Sequence, residues 1–428
     1  MSFRAWHQLS PAGVAATVHR RVGELPPAQR RAVLAWLAPE AELARAVADG
    51  RAKTGPLAGL PYMLKDLFDV AGRSLLAGSD FLPEVRPPAA RHGNMVNALE
   101  AAGAVLAGVT HLHEFAFGIT GENPHHGDCE HPSFPGRTTG GSSSGSAAAV
   151  AAGIVPLAIG TDTGGSIRVP SAFCGLFGFR MTPHHPWIAD GFPLAPSFDT
   201  AGWFTAEAED MDMALDALLD SPLARLGMLD DAGRSGGWMT LPGLDPEVAR
   251  AFTSAAGRLA RPLAEPQADA LREAFAGAAE VYAVAGAVET WQVHSGWAER
   301  FAGRYDPAVK GRLDLARALP AGKIAAAQAR IAVLKRAWTE YFADHDFLIL
   351  PASPCEALTK GECNQASRNR ILALTTPASL GGYPVLTMPV PLVSGLSTAL
   401  QVVGRDLKSP VFRQALRKWP AVARPSHS

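Results

Sequence analysis

Apolar residues recur at helical spacing through residues 11–50, where Ala, Arg, Glu and Leu rotate around the helix until Pro26-Pro27 interrupts them, so the pattern predicts two amphipathic helices. The period then shortens. Leu57–Val70 reads as a short apolar strand running into a polar turn, followed by a helix around Met95–Ala102 and a strand around Ala104–Val109. A small-residue run, Ser146–Ala152, predicts a helix, and Ile154–Ile159 predicts a short buried strand. From 211 to 343 the chain returns to helical spacing, broken by a Gly/Trp-rich loop at Ser235–Trp238. Asp346–Pro351, Val385–Leu392 and Ser397–Gly404 are strand-like, and Pro410–Lys418 predicts a closing helix. Strands at both ends with helices between them predict an α/β fold. It is a single domain over 1–428 with a mixed central β-sheet covered by α-helices, N-terminal helices within 1–55 and a helical insertion at about 211–343.

Composition narrows the class of protein. A hydrophobic content of 47% over 428 residues supplies an ample core. Lys+Arg (39) and Asp+Glu (40) nearly cancel, so the net charge of -1 gives no electrostatic case for a dedicated nucleic-acid or membrane-surface protein. Cys129, Cys174, Cys355 and Cys363 form no C-x-x-C pair and are too sparse for a disulfide framework, which suggests a reducing cytoplasm. The N-terminal residues contain no apolar signal core and no apolar run reaches about 20 residues, so a soluble, unprocessed cytoplasmic chain is expected.

Candidate chemistry lies in two glycine-serine clusters, Gly140–Ser146 and Thr163–Ser166. Each sets hydroxyls beside glycines that let backbone N–H groups converge, which is what acyl transfer needs. For Ser166 alone, an attacking hydroxyl and an ordinary Gly-Ser turn stand about even. Lys65 sits in the apolar run Pro61–Leu64 and either snorkels to water or is buried. To act as a base near pH 7 from burial, its pKa must fall by about 3 units from about 10.4. Asp162 and Arg168 flank Ser166, either as a structural ion pair fixing the loop or with Arg168 receiving a substrate carboxylate. The run His125–His131 carries imidazole and thiol groups but lacks zinc spacing and reads as a solvated loop, so no metal is expected. Gly141–Gly145 fits G-x-S-x-G, yet no buried strand precedes it, and no P-loop Lys follows these glycines.

Taken together, GGSSSGSAAAVAAG (140–153), GTDTGGSIRVPSAFCG (160–175) and the upstream LPYMLKDLFDV (60–70) resemble the amidase signature family, in family order and with Ser142 and Ser166 at its spacing of 24 positions (166 − 142). Weaker likeness extends through His113–Gly118 and Leu380–Gly404. The resemblance implies a single amidase-signature domain and a Ser-cisSer-Lys triad, with Ser166 as nucleophile, Ser142 after a cis Gly141–Ser142 bond as the bridging serine, and Lys65 as base. It implies an oxyanion hole at Thr163, Gly164, Gly165 and Ser166, and an insertion that shapes part of the substrate pocket. Phe117, Gly118 and Ile119 are candidate pocket lining by position, with Arg168 as a candidate substrate contact. The departures, Val109-Thr110-His111 and Arg180-Met181, lie outside the triad. The expected activity is hydrolysis of a small amide or urea-like substrate, without cofactor, by a chain that acts alone, as a homodimer or with a small accessory subunit. The alternative is the ammonia-releasing A-type subunit of an amidotransferase complex.

Overall fold

A computed structural model of the chain describes residues 1–219 and 235–422. Ten strands form one mixed sheet in the order β1-β3-β2-β4-β6-β5-β9-β10-β8-β7. They are β1 (Leu34–Leu37), β2 (Pro61–Lys65), β3 (Val105–Thr110), β4 (Leu157–Thr161), β5 (Phe177–Arg180), β6 (Ala201–Thr205), β7 (Gly236–Trp238), β8 (Phe347–Pro351), β9 (Val385–Pro391) and β10 (Ser397–Gly404). The β2 strand runs parallel to both β3 and β4, and β7 parallel to β8, while the other pairs are antiparallel.

Helices cover both faces. Along β8, Leu348 and Leu350 belong to one apolar body and Ile349 to the other, and successive strand side chains point to opposite faces. The body around Ile349 gathers the N-terminal helices with Phe252 and Phe412, and the body around Leu348 gathers Tyr282, Trp338 and Ile371. Both faces being covered explains why β2 is buried at every position, with apolar bodies from Pro61 to Leu64 instead of an alternating pattern before the buried Lys65. No helix among the described residues is long and apolar enough to cross a membrane.

The fold class expected from the sequence is the one observed, with local differences. The second N-terminal helix is cut by β1: Pro27–Val33 and Glu40–Gly50 are helical, but Leu34–Leu37 pairs antiparallel with β3. Helix-forming residues give way there to the pairing partner that the β3 edge offers, and Pro39 restarts the helix. The predicted loop at Ser235–Trp238 holds the edge strand β7. A Cβ on Gly236 would stand 2.6 Å from the Phe347 carbonyl and ring, so glycine at this position lets the edge approach β8. Among the described residues six α-helices, the first Ala208–Leu219 and the last Ala321–Asp344, span the stretch read as helical, while 220–234 within it lie outside the described residues. Strands β5 and β6 and the Gln365–Gly381 helix are not legible in the pattern.

Candidate active site

The parallel strands β2 and β4 end side by side and deliver Lys65 and Thr161 from their carboxyl ends, where open parallel sheets bind ligands. The Lys65 side chain is fully buried. Its Nζ donates to Ser142 Oγ at 2.8 Å, Ser143 Oγ at 2.9 Å and Thr161 Oγ1 at 2.7 Å. Burial draws its pKa down to about 7, and the charges of Asp162 and Asp199 pull in the opposite direction without restoring the ordinary value. No carboxylate among the described residues forms an ion pair with Lys65.

The first glycine cluster reaches the lysine through a tight turn into a helix. The Gly141–Ser142 peptide bond is cis. The helix starts at Ser144, two residues before the expected position, and runs to Ala151. Its small residues allow deep insertion: a Cβ on Gly145 would stand 2.6 Å from the carbonyls of both His111 and Val33. Ser143 Oγ donates to the Thr161 carbonyl at 3.0 Å, so its proton is committed and it accepts from Lys65. The hydroxyl protons of Ser142 and Thr161 have no acceptor of this kind among the described residues.

The second cluster is held from beneath by Asp162. Its Oδ2 accepts from the N–H groups of Ile167 (3.0 Å) and Arg168 (3.3 Å) and from Arg168 Nε (3.1 Å), while Oδ1 accepts from Arg168 Nη2 (2.8 Å) and Arg180 Nη1 (3.0 Å). Burial alone would raise this carboxyl, but the two guanidiniums and the N–H bonds outweigh it and hold the group well below the usual range. Arg168 is fully buried and also binds the Thr375 carbonyl, Gln401 Oε1 (3.2 Å) and Ser379 Oγ (2.7 Å). A guanidinium carries five donors. All five are engaged by protein groups, so Arg168 has the geometry of a loop-fixing ion pair and offers nothing to a substrate carboxylate.

In the turn itself, Thr163 Oγ1 donates to Asp199 Oδ1 at 2.6 Å, and Gly165 adopts φ 146°, which glycine alone tolerates. Among the described residues, no acceptor takes the N–H groups of Thr163, Gly164, Gly165 or Ser166, although all four residues are buried. Buried N–H groups are rarely left unpaired. Ile119 joins the two clusters: its carbonyl accepts from Gly141 N–H at 2.8 Å, and a Cβ on Gly165 would lie 3.2 Å from its Cδ1.

Next to this turn lies a cavity of about 420 Å³ lined by Phe117, Leu194, Tyr282, Arg312 and Arg368, among others. Tyr282 connects it to the turn, since a Cβ on Gly164 would stand 2.7 Å from the phenol oxygen. Of the three residues named by position, Phe117 lines the cavity, Gly118 packs against the His113 ring and Ile119 sits behind the turn. The histidine run is dispersed. His125 Nε2 pairs with Glu114 Oε1 at 2.8 Å, His126 stacks on His111 with ring centres 3.7 Å apart, and Cys129 is buried. Among the described residues, no three His, Cys, Asp or Glu side chains converge where a metal ion could be held. Sequence reasoning misses Ser143, Thr161, Tyr282, Arg312, Arg368 and Thr375. Only Ser143 has a local signal, its place in the serine run.

The sheet and its covering helices are those of an amidase-type α/β protein. The chain belongs to the Amidase family, whose sequence profile matches residues 27–409. It is 46% identical over 169 residues to Amidase 1 of Oryza sativa subsp. japonica, covering 39% of this chain and 38% of that one, so the match spans little more than a third of that relative. The A-type subunit of the glutamyl-tRNA(Gln) amidotransferase of Chloroflexus aurantiacus is 32% identical over 424 residues, covering 86% of this chain and 85% of its own. A solved amidase crystal structure superposes with a TM-score of 0.82 at 30% identity, covering 99% of both chains.

Proposed function

We propose that the chain hydrolyses the C–N bond of a small amide or urea-like compound through an acyl-enzyme on Ser166, with Ser142 and Lys65 as its proton relay. The observation that carries this reading is the fully buried Lys65, which donates to three hydroxyls and pairs with no carboxylate among the described residues. A base is neutral at pH 7 only if its environment disfavours the ammonium, and burial does that here.

In the proposed cycle Ser166 Oγ attacks the carbonyl carbon as its proton passes to Ser142, whose own proton passes to Lys65 Nζ. The carbonyl oxygen becomes an oxyanion and is received by the unengaged N–H groups of the 163–166 turn, where one such donor contributes about 3 to 4 kcal/mol of barrier lowering in other enzymes. The tetrahedral adduct collapses. Ser142 protonates the leaving nitrogen and is reprotonated by Lys65, leaving an ester on Ser166. Water then attacks that ester, giving a proton to the same relay, and the acid departs with Ser166 Oγ–H restored. The helical stretch of residues 211–343 forms part of the acyl pocket through Tyr282 and Arg312.

Ammonia release by the purified chain from a panel of aliphatic and aromatic amides tests the reading, with Ser166→Ala as the blank and fluorophosphonate labelling to locate the nucleophile. Turnover that Ser166→Ala abolishes, with label on the peptide containing Ser166, is expected. Undiminished turnover by a folded Ser166→Ala protein overturns it. The chain-long likeness to an A-type amidotransferase component keeps a second reading open to the same assay: ammonia release that requires an added partner chain selects that one.

A further inference from the structure

The cavity next to the 163–166 turn is lined by two arginines that have no direct carboxylate partner among the described residues, although Asp306, Glu122 and Glu114 lie near enough to Arg312 to favour its charge. Arg312 comes from the Pro307–Arg317 helix and Arg368 from the Gln365–Gly381 helix, and both line the cavity. Arg312 Nε and Nη2 are buried and have no hydrogen-bond partner among the described residues. Its guanidinium lies over the Phe117 ring, 5.1 Å from the centroid. Among the described residues, no carboxylate forms an ion pair with either arginine.

Arg168 and Arg180, both fully buried, set the contrast. Both pair with the carboxylate of Asp162, which they share. Two guanidiniums turned into a cavity without such a partner are costly, because burial strips part of their water and each repels the other. Burial first and the charge of Arg368 second draw the Arg312 pKa down to about 9, and the charges of Asp306, Glu122 and Glu114 oppose them without restoring the ordinary value. A site that holds two cations in this state has room for the charge of an anion that enters it.

We infer that the cavity binds a carboxylate carried by the substrate, with Arg312 and Arg368 as its anchors; the claim rests on the hydrolytic reading above and names the substrate class of that site. The planar fork of a guanidinium matches a carboxylate in two parallel bonds. The location fits the chemistry. Arg368 lies seven residues (375 − 368) before Thr375 on one helix, about 10 Å along its axis, and Thr375 touches Gly164 and Gly165. The carboxylate therefore lies at the far end of a molecule whose amide reaches the turn. Burial first, and then the charges of Arg312, Arg368 and Lys65, hold the His113 ring well below its ordinary pKa and keep it neutral.

The test measures ammonia release from matched pairs of one chain length: succinamate with butyramide, glutaramate with valeramide, and adipamate with hexanamide. For the best-fitting pair, kcat/KM for the acid amide is expected to exceed that for the neutral one by on the order of 10- to 100-fold. Arg312→Gln and Arg368→Gln should each cut that ratio about tenfold, chiefly through KM, with the Lys variants recovering part of it. Neither Gln variant should lower Tm, since a cation without a direct carboxylate partner is removed, whereas a structural arginine would leave a destabilised protein. Equal turnover within every pair, or a ratio that neither variant moves, overturns the inference while the hydrolytic reading stands. If no amide is hydrolysed at all, calorimetric titration of the wild-type protein with glutarate decides the matter separately. Heat of binding that both Gln variants lose supports the carboxylate site, and no binding overturns it.

Discussion

Thr375 Oγ1 donates to the carbonyl of Gly164, so a helix late in the chain fixes a turn 211 residues earlier. The same hydroxyl also lies 3.0 Å from the place a Gly165 Cβ would occupy. Thr375→Val keeps the shape and removes the donor, leaving the Gly164 carbonyl unpaired. A loss of about 1–3 kcal/mol in unfolding free energy is expected, with kcat reduced about tenfold as the N–H groups of the turn lose their aim. Urea denaturation and steady-state kinetics on the same variant measure the two effects.

As the proposed base, Lys65 is expected to set the pH dependence of turnover. With its pKa at about 7, kcat/KM should rise tenfold per pH unit below that point and level off above it. Stability should respond in the same direction. The unfolded chain keeps the proton up to about pH 10.4 while the folded chain releases it from about pH 7, so the unfolded state binds more protons in that window and stability rises with pH. Lys65→Met should remove a slope of up to about 1.4 kcal/mol per pH unit between those values, which denaturation at a series of pH values reads directly.

Asp162 is expected to be the most costly charge to remove. Asp162→Asn leaves Arg168 and Arg180 without their shared counter-charge in a fully buried setting and should cost about 3–5 kcal/mol. Because the folded carboxyl titrates well below its ordinary range, its contribution is present above about pH 4 and fades as the medium becomes more acidic. The gap in stability between wild type and variant should therefore be flat from neutrality to about pH 4 and shrink below it.

Gly164 and Tyr282 should be coupled. A methyl group on Gly164 meets the phenol at 2.7 Å, so Gly164→Ala is expected to displace either the turn or the ring and lower kcat/KM by at least about tenfold. Tyr282→Leu opens that space. In a double-mutant cycle the pair should lose less than the sum of the singles, by about 0.5–3 kcal/mol, and additive losses would show that the clash is absent.

The centre is legible where residues act through short-range spacing. Ser142, Ser166 and Lys65 fall in three separated motifs, and strands β9 and β10 can be read because apolar β-formers dominate both runs. Thr161 and Ser143 are not readable as lysine partners, since their meeting depends on the parallel register that sets Leu64 opposite Ile159. Arg312 and Arg368 stand on helices whose sequence looks like any solvated amphipathic stretch, and only packing reveals that they face a cavity. The β1 and β7 edges escape notice for a related reason: four and three residues carry too little period to outweigh local propensity, so the neighbouring strand decides.

The lysine, the three hydroxyls and the N–H turn all come from residues 65–166, while most of the cavity wall comes from helices beyond residue 277. The two sets meet at a few contacts, Tyr282 on Gly164 and Thr375 on Gly164 and Gly165. On the proposed mechanism, bond-breaking and molecular choice are thus inherited on different stretches of chain. Substitutions that redesign what the wall accepts can accumulate without disturbing the atoms that transfer protons, which makes this architecture a favourable starting point for laboratory evolution toward new amides, provided the libraries leave Tyr282 and Thr375 in place.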